Sequence, residues 1–160
     1  MPYTMQIEGM DKITEMLKTA GDRAVGIAAL ALYDGAGVVA DEISKGARGI
    51  STQPFRYANG WQRDPSPEEK AAVVSAGAAG IAKFRKTGNK VDTSVGYNRS
   101  GYATIAGKSK PIALIVSSIN SGTSFMKKQP FIRKAVTTAT PKATEAITSE
   151  VERLVGEILK

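Results

Sequence analysis

RAVGIAALALYDGAGVVADEISK, residues 23–45, is the stretch on which the fold turns. Alanine recurs throughout it, and Val25, Ile27, Leu30, Leu32, Val38, Val39 and Ile43 spread around a helical wheel instead of along one face. Alanine is the strongest helix former, so the segment predicts one long helix, apolar around most of its circumference. Such a helix is largely buried or shared between subunits. Gly35 and Gly37 each cost roughly 1 kcal/mol against Ala inside a helix, which implies a weak point or a close approach by another backbone. Asp22, just upstream, can cap the helix.

Towards the amino terminus, Met5-Gln6-Ile7-Glu8 alternates apolar and polar before Gly9 and reads as a short strand. Met10, Ile13, Met16 and Leu17 then fall at helical spacing, predicting a helix from Met10 to about Ala20, ended by Gly21. Towards the carboxyl terminus, Gly46, Gly49, Pro54, Gly60 and Pro65 mark residues 46–66 as loop. Ser66-Pro67-Glu68-Glu69 is a helix start: the hydroxyl accepts backbone N–H groups, Pro67 suits the first helical position, and Glu69 completes a capping box. The helix it opens is expected to run through Val73, Val74, Ala78, Ile81 and Phe84, with Lys83, Arg85 and Lys86 in its last turn and Gly88 beyond.

Val91 to Tyr97 reads as a strand, and Gly101 to Gly107 as a turn or strand end. Periodicity leaves Ile112–Ile119 open between a strand and a buried helix. After a loop from Asn120 to Gln129, a helix begins near Pro130 and carries Ala143, Ile147, Val151, Leu154, Val155 and Ile158 as a packing stripe. At Pro141, either Thr140 caps a fresh helix or the helix kinks. The 160 residues suit a single domain, 1–160, with a basic loop and helix excursion at about residues 50–90.

The chain has 22 basic and 15 acidic side chains and neither Cys nor His. That excludes disulfides, iron–sulfur clusters, zinc on Cys or His, Cys nucleophiles and Ser–His–Asp triads. No apolar run approaches the ~18 residues of a membrane span, and the start lacks the pattern of a signal peptide. Charge is uneven: residues 1–44 carry a net −4, residues 45–110 a net +8 and residues 111–160 a net +3. A basic middle calls for an acidic partner, either nucleic acid, membrane surface or protein, or else reads as a solvated, Lys-rich excursion.

Three stretches imitate chemical motifs. Gly101 to Ser109 nearly spells a phosphate-binding loop, but five residues separate Gly101 from Gly107 where four are needed, and Pro111 opposes a helix after Lys108-Ser109. Ser124-Phe-Met-Lys127 has the Ser-x-x-Lys spacing of acyl-transfer nucleophiles without their companion motifs. Glu68-Glu69 and Asp41-Glu42 are adjacent carboxylates that diverge on a helix, so they read as cap and solvent face. No catalytic residue, cofactor or metal is expected. Arg56, Tyr57, Trp61 and Arg63 mix cations with aromatics in a loop, a set suited to stacking on nucleobases or to anchoring a protein interface. In the absence of a nucleic-acid fold signature, protein contact is the preferred reading.

The segment Ile119-Asn-Ser-Gly122-Thr123-Ser-Phe-Met-Lys-Lys-Gln129-Pro130-Phe131-Ile132-Arg133-Lys134-Ala135 resembles the Gly-Thr … Pro-Phe-(Leu/Ile)-Arg-x-Ala signature of the tail-completion, or head–tail joining, proteins of long-tailed bacteriophages. Ile7-Glu-Gly9-Met-Asp11 before a Leu/Met helix, the Ala-rich second helix, Val95-Gly96 and the closing amphipathic helix agree in order. The likeness spans about two thirds of the chain, and only Gly122 to Ala135 is specific. Asn120-Ser121 stands where the family often has an acidic residue and an aromatic, and residues 50–90 are longer than usual. Read from its own residues, the block is a loop-to-helix junction: Gly122 permits a tight turn, Pro130 sets the helix entry, and Phe131 and Ile132 anchor it.

The resemblance implies an α+β, ring-forming subunit, a small antiparallel sheet with two or three long helices packed against it. It implies a virion protein of the neck, present in the host cytoplasm during assembly, whose ring (commonly a hexamer) joins the tail tube to the head connector or stopper. DNA would pass through the channel without sequence-specific binding, and no membrane is involved. Arg56, Tyr57, Trp61, Arg63, Gly122, Thr123, Phe131 and Arg133 are the expected subunit or partner contacts. The acidic amino-terminal part and basic middle are expected to supply complementary faces. The alternative is a nucleic-acid-binding architectural protein working through the basic middle.

Overall fold

The computed structural model describes residues 11–52, 57–58, 62–75, 80–88, 90–97 and 101–158. The strand expected at Met5–Glu8 lies outside them. Helix α1 (Asp11–Ala20) and helix α2 (Ala24–Arg48) are joined by a single 3₁₀ turn, Gly21–Arg23, in which Gly21 takes φ +60°. Asp22 sits inside that turn and does not cap α2; Arg23 holds the cap position and makes no side-chain cap bond. The 3₁₀ turn does the work of a cap in part, since the Ala24 N–H already donates to the Gly21 carbonyl.

The carboxyl-terminal helix α5 (Phe131–Ile158) runs antiparallel to α2, with Gly46 against Phe131 and Gly35 against Ile147. Gly35 and Gly46 therefore mark close approaches. A Cβ on Gly35 would stand 2.6 Å from Ile147 Cγ1 and Cδ1, and one on Gly46 would stand 3.2 Å from the Phe131 carbonyl oxygen. Gly37 faces open space instead. Pro141 stays within one continuous helix; Thr140 donates its hydroxyl back to the Val136 carbonyl (2.7 Å) and caps nothing.

Two apolar clusters divide this pair lengthwise. The amino-terminal half of α2, the carboxyl-terminal half of α5 and α1 enclose Ile13, Ile27, Ala31, Ile147, Val151 and Val155. The other halves enclose Val39, Ile43, Ile115, Ile119, Phe131 and Ile132, among others, together with the remaining elements. Burying each branched side chain contributes about 1.5–3 kcal/mol. Glu15–Arg48 holds a window long and apolar enough, by length and composition, to cross a membrane, which corrects the expectation of no such run. Ala31, Val39 and Ile43 of that stretch pack in the two clusters, although Leu30 remains 54% exposed.

The strands form separate two-stranded antiparallel ladders. Strand β1 (Tyr57–Ala58) pairs with β2 (Gln62–Arg63), inside the stretch expected to be loop. Helix α3 (Pro67–Ser75) follows with its capping box closed: the Ser66 hydroxyl accepts the Glu69 N–H (3.1 Å) and the Glu69 carboxylate accepts the Ser66 N–H (2.8 Å). It ends well short of Phe84. Strands β3 (Gly80–Ile81), β4 (Arg85–Thr87), β5 (Lys90–Asp92) and β6 (Val95–Gly96) instead make an irregular hairpin whose register slips by one residue between its two ladders. Gly88, at φ +61°, belongs to its turn and is no helix end.

Strands β7 (Tyr102–Ile105) and β8 (Lys108–Pro111) close a hairpin through Ala106 and Gly107, at φ +50° and +77°. Two consecutive left-handed residues are the signature of a type I′ turn, so the near-phosphate loop is a β-turn with Lys108 and Ser109 in a strand. The Glu68 carboxylate accepts the Ala106 N–H (2.9 Å) and so fastens the turn to α3. The open reading of 112–119 resolves as helix α4 (Ile112–Ser121), with Pro111 extended at its cap. Ile115, Val116, Ile119 and Asn120 are buried while Leu114 is exposed, a helical face and not a strand alternation.

Candidate interaction surface

In the loop between α4 and α5, residues 122–130, the N–H groups of residues 122, 123, 125, 126, 127 and 129 are all hydrogen-bonded. Gly122 takes φ +76° and ψ 166°, a region open only to glycine. A Cβ there would also crowd Lys128 at 3.0–3.2 Å. The Thr123 hydroxyl accepts the N–H groups of Phe125 (3.1 Å) and Met126 (2.9 Å), and Thr123 N–H donates to the Met126 carbonyl (3.0 Å). Strand β2 lies beside this turn. Arg63 N–H donates to the Phe125 carbonyl (2.8 Å), and Lys127 N–H returns to the Arg63 carbonyl (2.9 Å).

Two side chains tie the loop to its surroundings. The Asn120 amide oxygen, buried, accepts the N–H of Ile132 (3.1 Å) and thus caps α5 from the end of α4. Gln129 reaches the chain after α2, accepting the Ser51 N–H and donating to the Ser51 carbonyl, both at 2.9 Å. Met126 is buried, so the loop has its own apolar anchor; its neighbour Phe125 is 67% exposed. The loop-to-helix junction expected from the sequence is therefore formed, and it leaves one aromatic ring, Phe125, exposed.

The expected contact residues separate into several groups. Arg56 and Trp61 lie outside the described residues. The backbone of Tyr57 pairs with Arg63 across β1 and β2. The Arg63 guanidinium is held within the chain by both carboxylate oxygens of Glu69, 2.7 Å each, and reaches the Asp64 carbonyl at 3.1 Å. Burial pushes the Glu69 carboxyl up, but the hydrogen bonds from Arg63 and the Ser66 N–H outweigh it and hold the group below its ordinary value. Phe131 is buried in the core, edge-on to Tyr97. Gly122 shapes the turn, Thr123 pins it, and Arg133 is exposed on α5.

Asn120, Phe125, Gln129 and Lys128 complete the arrangement and were not singled out as contacts from the sequence. Only the Gly122-Thr123 pair signals them, since a forced turn fixes whatever follows it. Lys128 stands between two concavities, one of about 440 Å³ beside Gln62 and Thr123, the other of about 500 Å³ lined by Lys45, Lys134, Gln129 and Phe131. Glu42 edges the second and receives Lys45 (3.0 Å) and Lys142 (3.3 Å); hydrogen bonds from those two lysines lower its carboxyl. Away from this region, burial alone pushes the Tyr97 phenol up to about 12, and its hydroxyl has no partner among the described residues.

Antiparallel packing also sorts charge. Residues 111–142 hold five basic and no acidic side chains, whereas residues 143–160 hold four acidic and two basic. The acidic half of α5 lies with α1 and the start of α2, and the basic half lies with the 122–130 loop. The β3–β6 hairpin carries exposed Lys83, Arg85, Lys86 and Lys90, with Arg85 paired to Asp92 (3.3 Å), and its Phe84 N–H donates to the Tyr33 hydroxyl of α2 (3.1 Å). Compared with known proteins, the chain matches no family model, no curated protein and no solved structure.

Proposed function

We propose that this chain is a virion structural protein of a long-tailed bacteriophage, a tail-completion or head–tail joining subunit. In this reading it forms a ring at the neck, joins the tail tube to the head connector, and leaves a channel through which DNA passes without sequence-specific contact. It assembles in the host cytoplasm, acts in the virion, and works by shape and surface adhesion, with no catalysis and no cofactor.

The observation that supports it is the Gly122–Ala135 junction, the segment in which the family likeness is most specific. Its backbone bonds within itself and to β2, its anchors are buried, and it presents Phe125 on a hydrogen-bonded loop. A pre-formed exposed aromatic is the kind of group that dominates protein interfaces. The test is a phage deletion followed by electron microscopy. Free heads beside unjoined tails are expected, and normal virions would refute the reading.

A second reading, an architectural nucleic-acid binder, is favoured by the hairpin carrying Lys83, Arg85, Lys86 and Lys90 at exposed positions. Duplex binding whose affinity falls steeply with salt, by a chain that pairs with no tail or connector protein, would establish it instead.

A further inference from the structure

We infer that copies of this chain join head to tail, the loop bearing Phe125, Lys127 and Lys128 of one copy docking on the acidic three-helix end of the next. This deepens the assembly reading and rests on it only for the premise that copies associate.

The loop offers an exposed ring flanked by two exposed lysines. Because its backbone is already hydrogen-bonded, docking it orders little chain, and the usual entropic penalty is small. Such a group fits a partner that supplies apolar surface rimmed by carboxylates. Duplex DNA answers the lysines but keeps its bases stacked and gives the ring no apolar seat, so a protein surface is favoured.

The opposite end of the same chain has that chemistry. Leu30 is 54% exposed there, Met16, Leu17 and Leu154 are only partly buried, and exposed Glu15, Asp22, Asp34, Glu145, Glu152 and Glu157 outnumber exposed Lys18, Arg23 and Arg153. The two faces differ, so the contact is heterologous, and repetition closes a ring or extends a filament. Opposite charges steer the encounter, and the apolar anchor sets how long it lasts.

The experiment is native mass spectrometry and light scattering on the full chain with two paired variants. Lys127→Glu/Lys128→Glu makes both faces acidic; Glu15→Lys/Asp22→Lys makes the second face basic. Each alone is expected to require about tenfold more protein to assemble, while an equimolar mixture regains assembly because unlike faces now alternate. Phe125→Ala is expected to weaken assembly by at least about tenfold at unchanged circular dichroism. Three results would overturn the inference: variants that each assemble like the parent, folded variants whose mixture fails to recover, or a parent chain that stays monomeric. A monomer that still binds a tail or connector protein would refute only this inference. Recovery in the mixture by a chain that binds neither partner would refute only the neck assignment.

Discussion

The Arg63 guanidinium meets the Glu69 carboxylate with two nitrogens, each at 2.7 Å, and in doing so locks β2 onto the first turn of α3. The Glu69 side chain is 5% exposed and that of Arg63 25%, so the pair is strongly asymmetric in its access to water. Removing the cation strands a buried carboxylate; removing the carboxylate leaves a cation that can reach solvent.

Arg63→Ala is therefore expected to cost about 2–4 kcal/mol and Glu69→Gln less, both read from urea midpoints. The pH dependence follows from the lowered Glu69 carboxyl. Its contribution to stability is fully present above the ordinary carboxylate value of 4.5 and is lost as pH falls through the lower folded value. In Arg63→Ala the burial effect, the Ser66 N–H and the Lys110 charge remain while both contributions of Arg63 are lost, so the acid-side loss begins at higher pH. Parallel acid titration curves for parent and variant would contradict this assignment.

Gly35 and Gly37 are two residues apart on α2 and predict opposite outcomes. Gly35→Ala places a methyl 2.6 Å from two atoms of buried Ile147 and 3.3 Å from the Ala143 carbonyl oxygen. Overpacking of that kind costs about 1–3 kcal/mol, more than the ~1 kcal/mol that Ala gains in helix propensity. Gly37→Ala meets nothing within 4 Å and is expected to stabilise by about 0.5–1 kcal/mol. Thermal midpoints moving in the same direction would show that the α2–α5 approach is misplaced.

Asn120→Ala removes the acceptor that the Ile132 N–H reaches at 3.1 Å and buries that donor unsatisfied. The expected loss is about 1–3 kcal/mol in urea, with amide exchange at Ile132 accelerated more than at Val151 in the same helix. Uniform acceleration along α5 would mean that Asn120 does not act as its cap.

How much of this was legible beforehand depended on whether the signal was local. The capping box at Ser66–Glu69 and the glycine turn at Gly122 are written in neighbouring residues, and both formed. The length of α3 was not, because Ile81 and Phe84 keep helical spacing with Val73 and Val74. What displaces them is pairing with residues 92–96, a partner distant in sequence. Pro111 set the start of α4, but its helical identity came from burial of Ile115, Val116 and Ile119 against other elements. Arg63 read as a partner contact because its carboxylate lies six residues on, outside any local motif. The charge sorting was hidden in a third section whose net +3 concealed two opposite halves.

Pro141 gives the last test. It lies at an exposed position inside α5 and has no N–H for the Thr137 carbonyl. The helix continues across it while Thr137, Thr140 and Thr144 donate their hydroxyls to the carbonyls of Arg133, Val136 and Thr140 at 2.7–3.0 Å. Those back-bonds occupy carbonyls around the break and favour a bent helix. Pro141→Ala restores the missing donor in a segment whose inward residues, Ala139 and Ala143, are fully buried and small. The variant is expected to gain about 1–3 kcal/mol, no more than the ~3 kcal/mol propensity difference because any change in the path of α5 disturbs its seat on α2. A loss of stability would mean instead that the path Pro141 gives α5 is what brings Ile147 over Gly35, and Gly35→Ala would then cost less in the Pro141→Ala background than alone, which a double-mutant cycle measures.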